Sequence, residues 1–277
     1  MNEIRLIVDS SSNETEQTNR NLKVVPLKIN LAGKDFVDDN KIDLPSFLEE
    51  LSQTTEAGKT ACPSLQDWLD ALEGAEKAII VTMTSGLSGT YASAMQARDI
   101  YCEQNPTSKV IVVDSRSAGP ELSIILERIE ELLQEELRFV DLEERIAQIR
   151  TKTHLLFILQ SLHNLAVSGR VSPAIVKLAS LLHINVIGQA SKEGTLEQLA
   201  KARGSKKAVK ELVKQMKLEG YHGGRVIIDH CENKVDSERI RDLLIEEFPS
   251  AQILIRKTRG LCSFYAEQGG IMVGFES

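Results

Sequence analysis

Aromatic residues make up only 4% of this 277-residue chain, with a single tryptophan, so any internal cavity is expected to be aliphatic, lined by Leu, Ile, Val and Met. Cysteines are few and scattered. Cys62, Cys102, Cys231 and Cys262 form no C-x-x-C pair and no His–Cys cluster, which excludes a zinc knot or a disulfide framework and suits thiols in a reducing compartment. No apolar run approaches the roughly 18–20 residues that cross a bilayer. The first residues, Met1-Asn2-Glu3-Ile4-Arg5, enter a strand-like run without the basic and apolar regions of a signal peptide, so a cytoplasmic protein is expected. An excess of positive charge is missing too: 33 Lys and Arg against 40 Asp and Glu leave a net charge of −7, which argues against nucleic acid or an anionic membrane as the main partner. There is no G-x-x-x-x-G-K-[ST] and no G-x-G-x-x-G after a strand, and the acidic residues form no cluster at metal-ligand spacing. No metal or other cofactor is expected.

What is present reads as an α/β protein. Apolar runs at Ile4–Val8, Lys23–Asn30, Ala78–Thr82 and Val110–Val113 alternate with helical periodicity at Leu44–Leu51 and Leu65–Leu72. This alternation implies βαβ units and a mostly parallel sheet flanked by helices. Pro26 marks a sheet edge or a strand start. Leu122–Arg150 reads as one long charged helix bridging two lobes, residues 1–150 and 151–277. The smaller second lobe is expected to open with an apolar helix over His154–Leu165. A helix over Ala174–Leu182 follows, then strands at Ile184–Ile187, Arg225–Asp229, Ile253–Arg256 and Ile271–Phe275.

Two stretches carry candidate chemistry. Gly86-Leu87-Ser88-Gly89-Thr90-Tyr91 follows the buried strand Ala78–Val81, so a hydroxyl and free backbone N–H groups meet where α/β proteins hold the polar end of a ligand. Lys59-Thr60-Ala61-Cys62-Pro63-Ser64 offers further hydroxyls. Neither stretch has a base nearby in sequence, which points to capture of an anion rather than chemistry on it. Asp9-Ser10-Ser11-Ser12 is echoed by Asp114-Ser115-Arg116-Ser117. Both end strands on one sheet edge, where they either meet the ligand or cap the following helices. A dehalogenase-type phosphatase needs a second Asp two residues after Asp9, where Ser11 stands. A serine hydrolase needs Gly-x-Ser-x-Gly, and the turn at Ser88 misses that spacing by one residue. Among the histidines, His154, His163 and His183 lie in apolar helical surroundings, while His230 follows the strand end Ile227-Ile228-Asp229. A small-molecule kinase or hydrolase using Ser88 and His230 therefore stays open as an alternative.

The ordered set of motifs resembles the DegV family of bacterial lipid-binding proteins, which includes the fatty-acid-binding subunits of bacterial fatty acid kinase. The likeness runs through Val8-Asp9-Ser10-Ser11, Val25-Pro26-Leu27, Lys59-Thr60 with Pro63-Ser64, and Ser85–Tyr91. It continues through Val113-Asp114-Ser115, Gly169-Arg170-Val171-Ser172, Lys201-Ala202-Arg203-Gly204 and His230. It implies a two-lobed α/β fold, with the head-group site on the first lobe and the second closing a tunnel around one long-chain fatty acid such as palmitate. It also implies a non-catalytic role in lipid transport or fatty acid metabolism. Thr60 and Ser88 would hold the carboxylate, with Gly89, Ser64, Asp9, Ser10 and Tyr265 around it. Arg170 would serve docking of a fatty acid kinase catalytic subunit. Two departures stand out: Ala61 follows Thr60 where the family has Ser, and Ala266 occupies the place of a C-terminal His, flanked by Tyr265 and Glu267.

Overall fold

The computed structural model describes residues 4–16, 21–54, 56–135, 137–171 and 184–277. Its thirteen described strands are β1 (Arg5–Asp9), β2 (Leu22–Val25), β3 (Lys28–Leu31), β4 (Lys34–Val37), β5 (Lys59–Ala61), β6 (Lys77–Thr82), β7 (Lys109–Asp114), β8 (Thr153–Leu159), β9 (Ile184–Ala190), β10 (Leu196–Arg203), β11 (Arg225–His230), β12 (Gln252–Lys257) and β13 (Ile271–Glu276). The helices are α1 (Leu44–Gln53), α2 (Leu65–Leu72), α3 (Thr90–Gln104), α4 (Pro120–Leu132), α5 (Phe139–Arg150), α6 (His163–Val167), α7 (Ser205–Leu218), α8 (Lys234–Glu247) and α9 (Gly260–Ala266).

The N-terminal lobe contains a parallel sheet in the order β2-β1-β6-β7. Its central strands read as unbroken apolar runs because both faces are covered. Ile7, Ile80 and Trp68 belong to the core under α2 and α3; Leu6, Val8, Ile79 and Val81 face the opposite way, toward α4 and α5. The single strand expected over Lys23–Asn30 is two strands broken at Pro26. Pro26 has no N–H for the ladder, and beyond it the chain leaves the parallel sheet for a small antiparallel one, β4-β3-β5.

The C-terminal lobe holds a six-stranded sheet, β10-β9-β8-β13-β11-β12, antiparallel except for the β11–β12 pair. One face packs on α7 and α8. The other looks toward the first lobe, and α4 lies between the two sheets, touching β6 on one side and β8, β11 and β13 on the other.

Two expected elements are corrected. Leu122–Arg150 is not one helix: the chain turns after Leu132, and α5 packs back on α4 through Leu142 and Ile146. The polar Gln134 and Glu135 supply no side chain to continue the buried face of α4. The helix expected over His154–Leu165 is strand β8 followed by the short α6. A continuous apolar run is ambiguous by periodicity, and here it is settled by a central place in the sheet that buries both faces. The helix expected over Ala174–Leu182, together with Ser172 and His183, lies outside the described residues. No helix among the described residues is long and apolar enough to cross a membrane.

Candidate functional site

The turn after β6 is held in place by the two Asp-Ser strand ends. Asp9 accepts hydrogen bonds from Met83 N (2.6 Å) and Ser11 N (2.9 Å). Asp114 accepts from Ser85 N (3.1 Å) and Ser85 Oγ (2.6 Å). Thr84 N donates to Ser117 O, and Thr84 Oγ1 donates to Gly194 O (2.8 Å) in the β9–β10 turn of the other lobe. Glycine is required at this junction. A Cβ on Gly86 would stand 2.7 Å from Gly194 O, and one on Gly194 (φ +81) would stand 2.1 Å from Thr84 Oγ1. The segment 83–88 is thus fixed before any ligand arrives. Burial pushes the Asp9 carboxyl up to about 6, against the pull of Ser11 and Met83.

Beneath this segment lies an apolar cavity of about 60 Å³ between the lobes. Met83, Leu87 and Ala118 line it from the first lobe; Leu155, Phe157, Leu159, Leu165, Leu196 and Met272 line it from the second, with Leu261, Cys262, Tyr265 and Ala266 of α9 along one side. The lining is leucine- and methionine-rich as expected, but contributes no Ile or Val and includes two aromatic rings.

Thr60, Ser88 and Gly89 are not on the cavity wall themselves but adjoin it through Tyr265 and Leu87, which are. Thr60 Oγ1 and Tyr265 Oη are hydrogen-bonded at 2.7 Å. The Arg170 guanidinium stands over the Tyr265 ring, 5.1 Å from its centroid, and its Nε donates to Leu87 O at 3.0 Å. Ser88, next to Leu87, shares a 2.7 Å hydrogen bond with Thr90 Oγ1. Gly89 adjoins Cys62 at the end of β5: a Cβ there would be 3.6 Å from Cys62 Sγ. Four chain segments far apart in sequence therefore meet at this mouth, all of them half-buried or exposed.

Helix α9 reaches the cavity because the first lobe caps it. Asp38, in the N-terminal lobe, accepts from Gly260 N (2.9 Å) and Leu261 N (3.0 Å), filling the donors that a helix start leaves open. A second tie runs beside it. Arg256 donates to both oxygens of the fully buried Asp229 (2.8 and 3.0 Å) and to Glu14 (2.7 Å), while Asn13 Nδ2 donates to Asp229 at 2.7 Å. Burial opposes the Arg256 charge, but the two carboxylates outweigh it and hold its pKa above the ordinary value. These bonds fasten the lobes along one side of the cavity.

Several expected site residues have their polar atoms committed elsewhere. Asp9 and Ser10 are fully buried and do not line the cavity; Ser10 Oγ accepts from Leu27 N at 3.1 Å. Ser64 is the exposed N-cap of α2, in a reciprocal capping box with Asp67. Glu267, beside the mouth in sequence, turns away and accepts from Asn164 N at 3.0 Å, leaving Tyr265 and Ala266 facing inward. Arg170 is a wall of the mouth rather than an outlying surface group.

The pair required by the enzyme alternative does not form. His230 Nδ1 accepts from Asn233 N at 3.2 Å, His230 is absent from the cavity wall, and the Ser88 hydroxyl bonds to Thr90. Burial also lowers the His230 pKa. A polar lining residue escaped sequence reasoning along with the apolar ones: Ser11 is fully buried on the cavity wall, and its hydroxyl, close enough to ease the Asp9 carboxyl, completes no hydrogen bond. Only its place in the Asp-Ser-x-Ser strand end could have signalled it.

Residues 3–277 match the model of the DegV family, described as uncharacterised proteins. A DegV domain-containing protein of Streptococcus pneumoniae is 41% identical over 276 residues, covering 98% of each chain. The solved structure of the fatty acid kinase (Fak) B3 protein of S. pneumoniae, loaded with linoleic acid, matches with a TM-score of 0.94 at 41% identity, over 98% of each chain. A DegV family protein of Eubacterium eligens loaded with heptadecanoic acid matches with a TM-score of 0.95 at 39% identity, over 99% of this chain and all of that one. By sequence over its whole described length and by fold, this chain belongs to the DegV family.

Proposed function

We propose that this chain binds one long-chain fatty acid between its two lobes, residues 1–150 and 151–277, and acts in the cytoplasm as a non-catalytic lipid carrier. The observation that supports this reading is an apolar cavity between the lobes whose wall at Leu87, Arg170 and Tyr265 adjoins the hydroxyls of Ser88 and Thr60. Two structural relatives near 40% identity hold fatty acids, heptadecanoic in one and linoleic in the other.

Thr60 and Ser88 bind the carboxylate, each through one O–H donor, and Gly89 lets the backbone approach. Tyr265 supplies a further donor in place of the missing histidine. It is already in hydrogen-bond contact with Thr60, so the two turn toward the ligand together. The tail supplies the affinity. At about 0.8 kcal/mol per buried methylene, a tail of about 14 methylenes contributes on the order of 11 kcal/mol before ordering costs.

The rim of this mouth presents the head group to a partner, for which a fatty acid kinase catalytic subunit is the fitting class. Arg170 stands at the rim. Lys201, Arg203, Lys206 and Lys207 are exposed around the start of α7, where the helix dipole is itself positive. An acidic partner surface would relieve that crowding of positive charge.

Mass spectrometry of the denatured purified protein tests the reading. An acyl ligand released from the protein, or uptake of added palmitic or oleic acid, is expected. No released lipid together with no uptake of either acid overturns it.

A further inference from the structure

The cavity has a floor, and the register of the C-terminal sheet identifies it. Side chains along β8 alternate in direction, so Leu159, Phe157 and Leu155 face the cavity in turn, and the next residue on that side is Thr153. Opposite them on β13 stand Met272 (facing Phe157), Gly274 (facing Leu155) and Glu276 (facing Thr153). Met272 still lines the cavity. At Gly274 the start of α4 lies directly on the sheet: a Cβ there would come within 2.7 Å of Glu121 N. A Cβ on Gly119 (φ +64) would stand 2.4 Å from Met272 Cε. Backbone 119–121 therefore ends the apolar space.

One hydrogen bond lies beside that closure. Thr153 Oγ1 donates to Glu121 Oε1 at 2.8 Å, with Thr153 only 6% and Glu121 only 5% exposed. On the far side is a polar basin of about 410 Å³, lined by Thr153 itself together with Lys152, Arg145, Gln148 and Glu276. Thr153 thus stands between the cavity-facing run of β8 and the polar basin, tied to the start of α4 by Glu121. Burial pushes the Glu121 carboxyl up to about 7, against the pull of Ser117, Thr153 and Arg150. Near neutral pH it is protonated in a large share of molecules and shows its apolar neighbours a reduced charge.

We propose that the Thr153–Glu121 pair is the chain-length stop of the cavity: the methyl end of an acyl tail reaches Leu155 and halts there, so the pair sets the longest tail this protein accepts. The proposal rests on the fatty-acid reading above. A tail too long for the space has two outlets. It can push its carboxylate off the hydroxyls at the mouth, or it can break the Thr153–Glu121 bond and leave a buried carboxyl unpaired. The second outlet leads into the polar basin, where a methyl group gains nothing from leaving water. Up to the limit, each methylene accommodated adds about fourfold in affinity, so discrimination at the limit is sharp.

The test compares hexadecanoic, eicosanoic and docosanoic acid for binding to the delipidated full-length protein and its Thr153→Ala, Glu121→Ala and Glu121→Gln variants. In Thr153→Ala and Glu121→Ala the docosanoic-to-hexadecanoic affinity ratio is expected to rise by about fourfold for each methylene that fills the space vacated by the shortened side chain, and no further once the tail reaches the polar basin. Glu121→Gln, which keeps the acceptor oxygen, is expected to hold the wild-type ratio. An unchanged ratio in whichever alanine variant folds overturns the stop while leaving fatty-acid binding intact. Failure of the wild-type protein to bind any of the three acids overturns the fatty-acid reading and the stop with it.

Discussion

The two ends of the cavity are built on opposite principles. At the mouth, Thr60, Ser88, Arg170 and Tyr265 come from four separate segments and retain solvent exposure; Thr60 and Tyr265 bond to each other, Ser88 to Thr90 and Arg170 to Leu87 O. At the floor, Ala118, Leu155 and Met272 sit on or beside regular elements locked by close backbone packing, and the Thr153–Glu121 pair is buried. Polar groups left partly exposed stay free to exchange hydrogen-bond partners. Groups that define a shape have to be rigid. The comparison predicts that changes at the mouth alter binding of every tail length while sparing stability, and that changes at the floor cost stability and shift only which tail lengths are accepted.

Asp9 breaks this division most severely, because it anchors the mouth loop from inside the core. Asp9→Ala leaves the N–H groups of Met83 and Ser11 unpaired, each costing about 1–3 kcal/mol. Urea denaturation should show a stability loss of about 2–5 kcal/mol, and fatty-acid uptake should fall with it.

The floor makes its own prediction through pH. The ordinary value for Glu121 is 4.5 and burial raises it to about 7. Below its ordinary value the carboxyl is protonated in both folded and unfolded chains. Between the two values the folded state holds a proton that the unfolded state has lost, so stability falls as pH rises toward 7 and changes no further above it. The contribution is on the order of 3 kcal/mol. Thermal melts across that range should be flatter for Glu121→Gln than for the wild type; parallel curves would show that Glu121 does not titrate in this way. Asp9, raised to about 6, contributes in the same direction.

Mouth substitutions should act on binding alone. Thr60→Val and Tyr265→Phe each remove one donor, worth about 1 kcal/mol or roughly a fivefold loss of affinity. Because the two hydroxyls share a hydrogen bond, the double variant should lose less than the product of the single losses. Isothermal titration with oleic acid measures all three; multiplicative losses would separate Thr60 from Tyr265. Ser64→Ala marks the edge of the site. It should cost about 1 kcal/mol of stability through the lost cap and leave affinity unchanged.

Much of this architecture was legible in the residues. The parallel strands showed as β-branched runs with polar ends, and α2 over Leu65–Leu72 begins at its Ser64-x-x-Asp67 cap. Misreadings came where local pattern is ambiguous and tertiary context decides. The run His154–Leu159 has no period to separate strand from helix, and the chain reversal between α4 and α5 depends on Leu142 and Ile146 packing back into the core they share with α4. The Lys201–Lys207 stretch drew notice for its charge alone, although its first half is strand β10 and its second half opens α7.

At the site, the stretches around Thr60 and Ser88 were legible as candidates, and the structure brings Thr60 against Tyr265 and leaves Ser88 beside the cavity-lining Leu87. What Asp9 and Asp114 do was not legible: their partners, Met83 and Ser85, lie 74 and 29 residues away, and nothing local distinguishes an Asp that binds a ligand from one that holds the loop that does. The meeting of Thr60 with Tyr265, 205 residues apart, likewise follows only from the closure of the two lobes.

A crystal structure of the protein with oleic acid bound tests the central claim most directly. The account predicts a carboxylate within hydrogen-bond distance of the Thr60 and Ser88 hydroxyls and Tyr265 Oη, with the tail running past Met83 and Phe157 to end at Leu155. Oleate lying outside the interlobe cavity, or inside it with its carboxylate away from both hydroxyls, would contradict it.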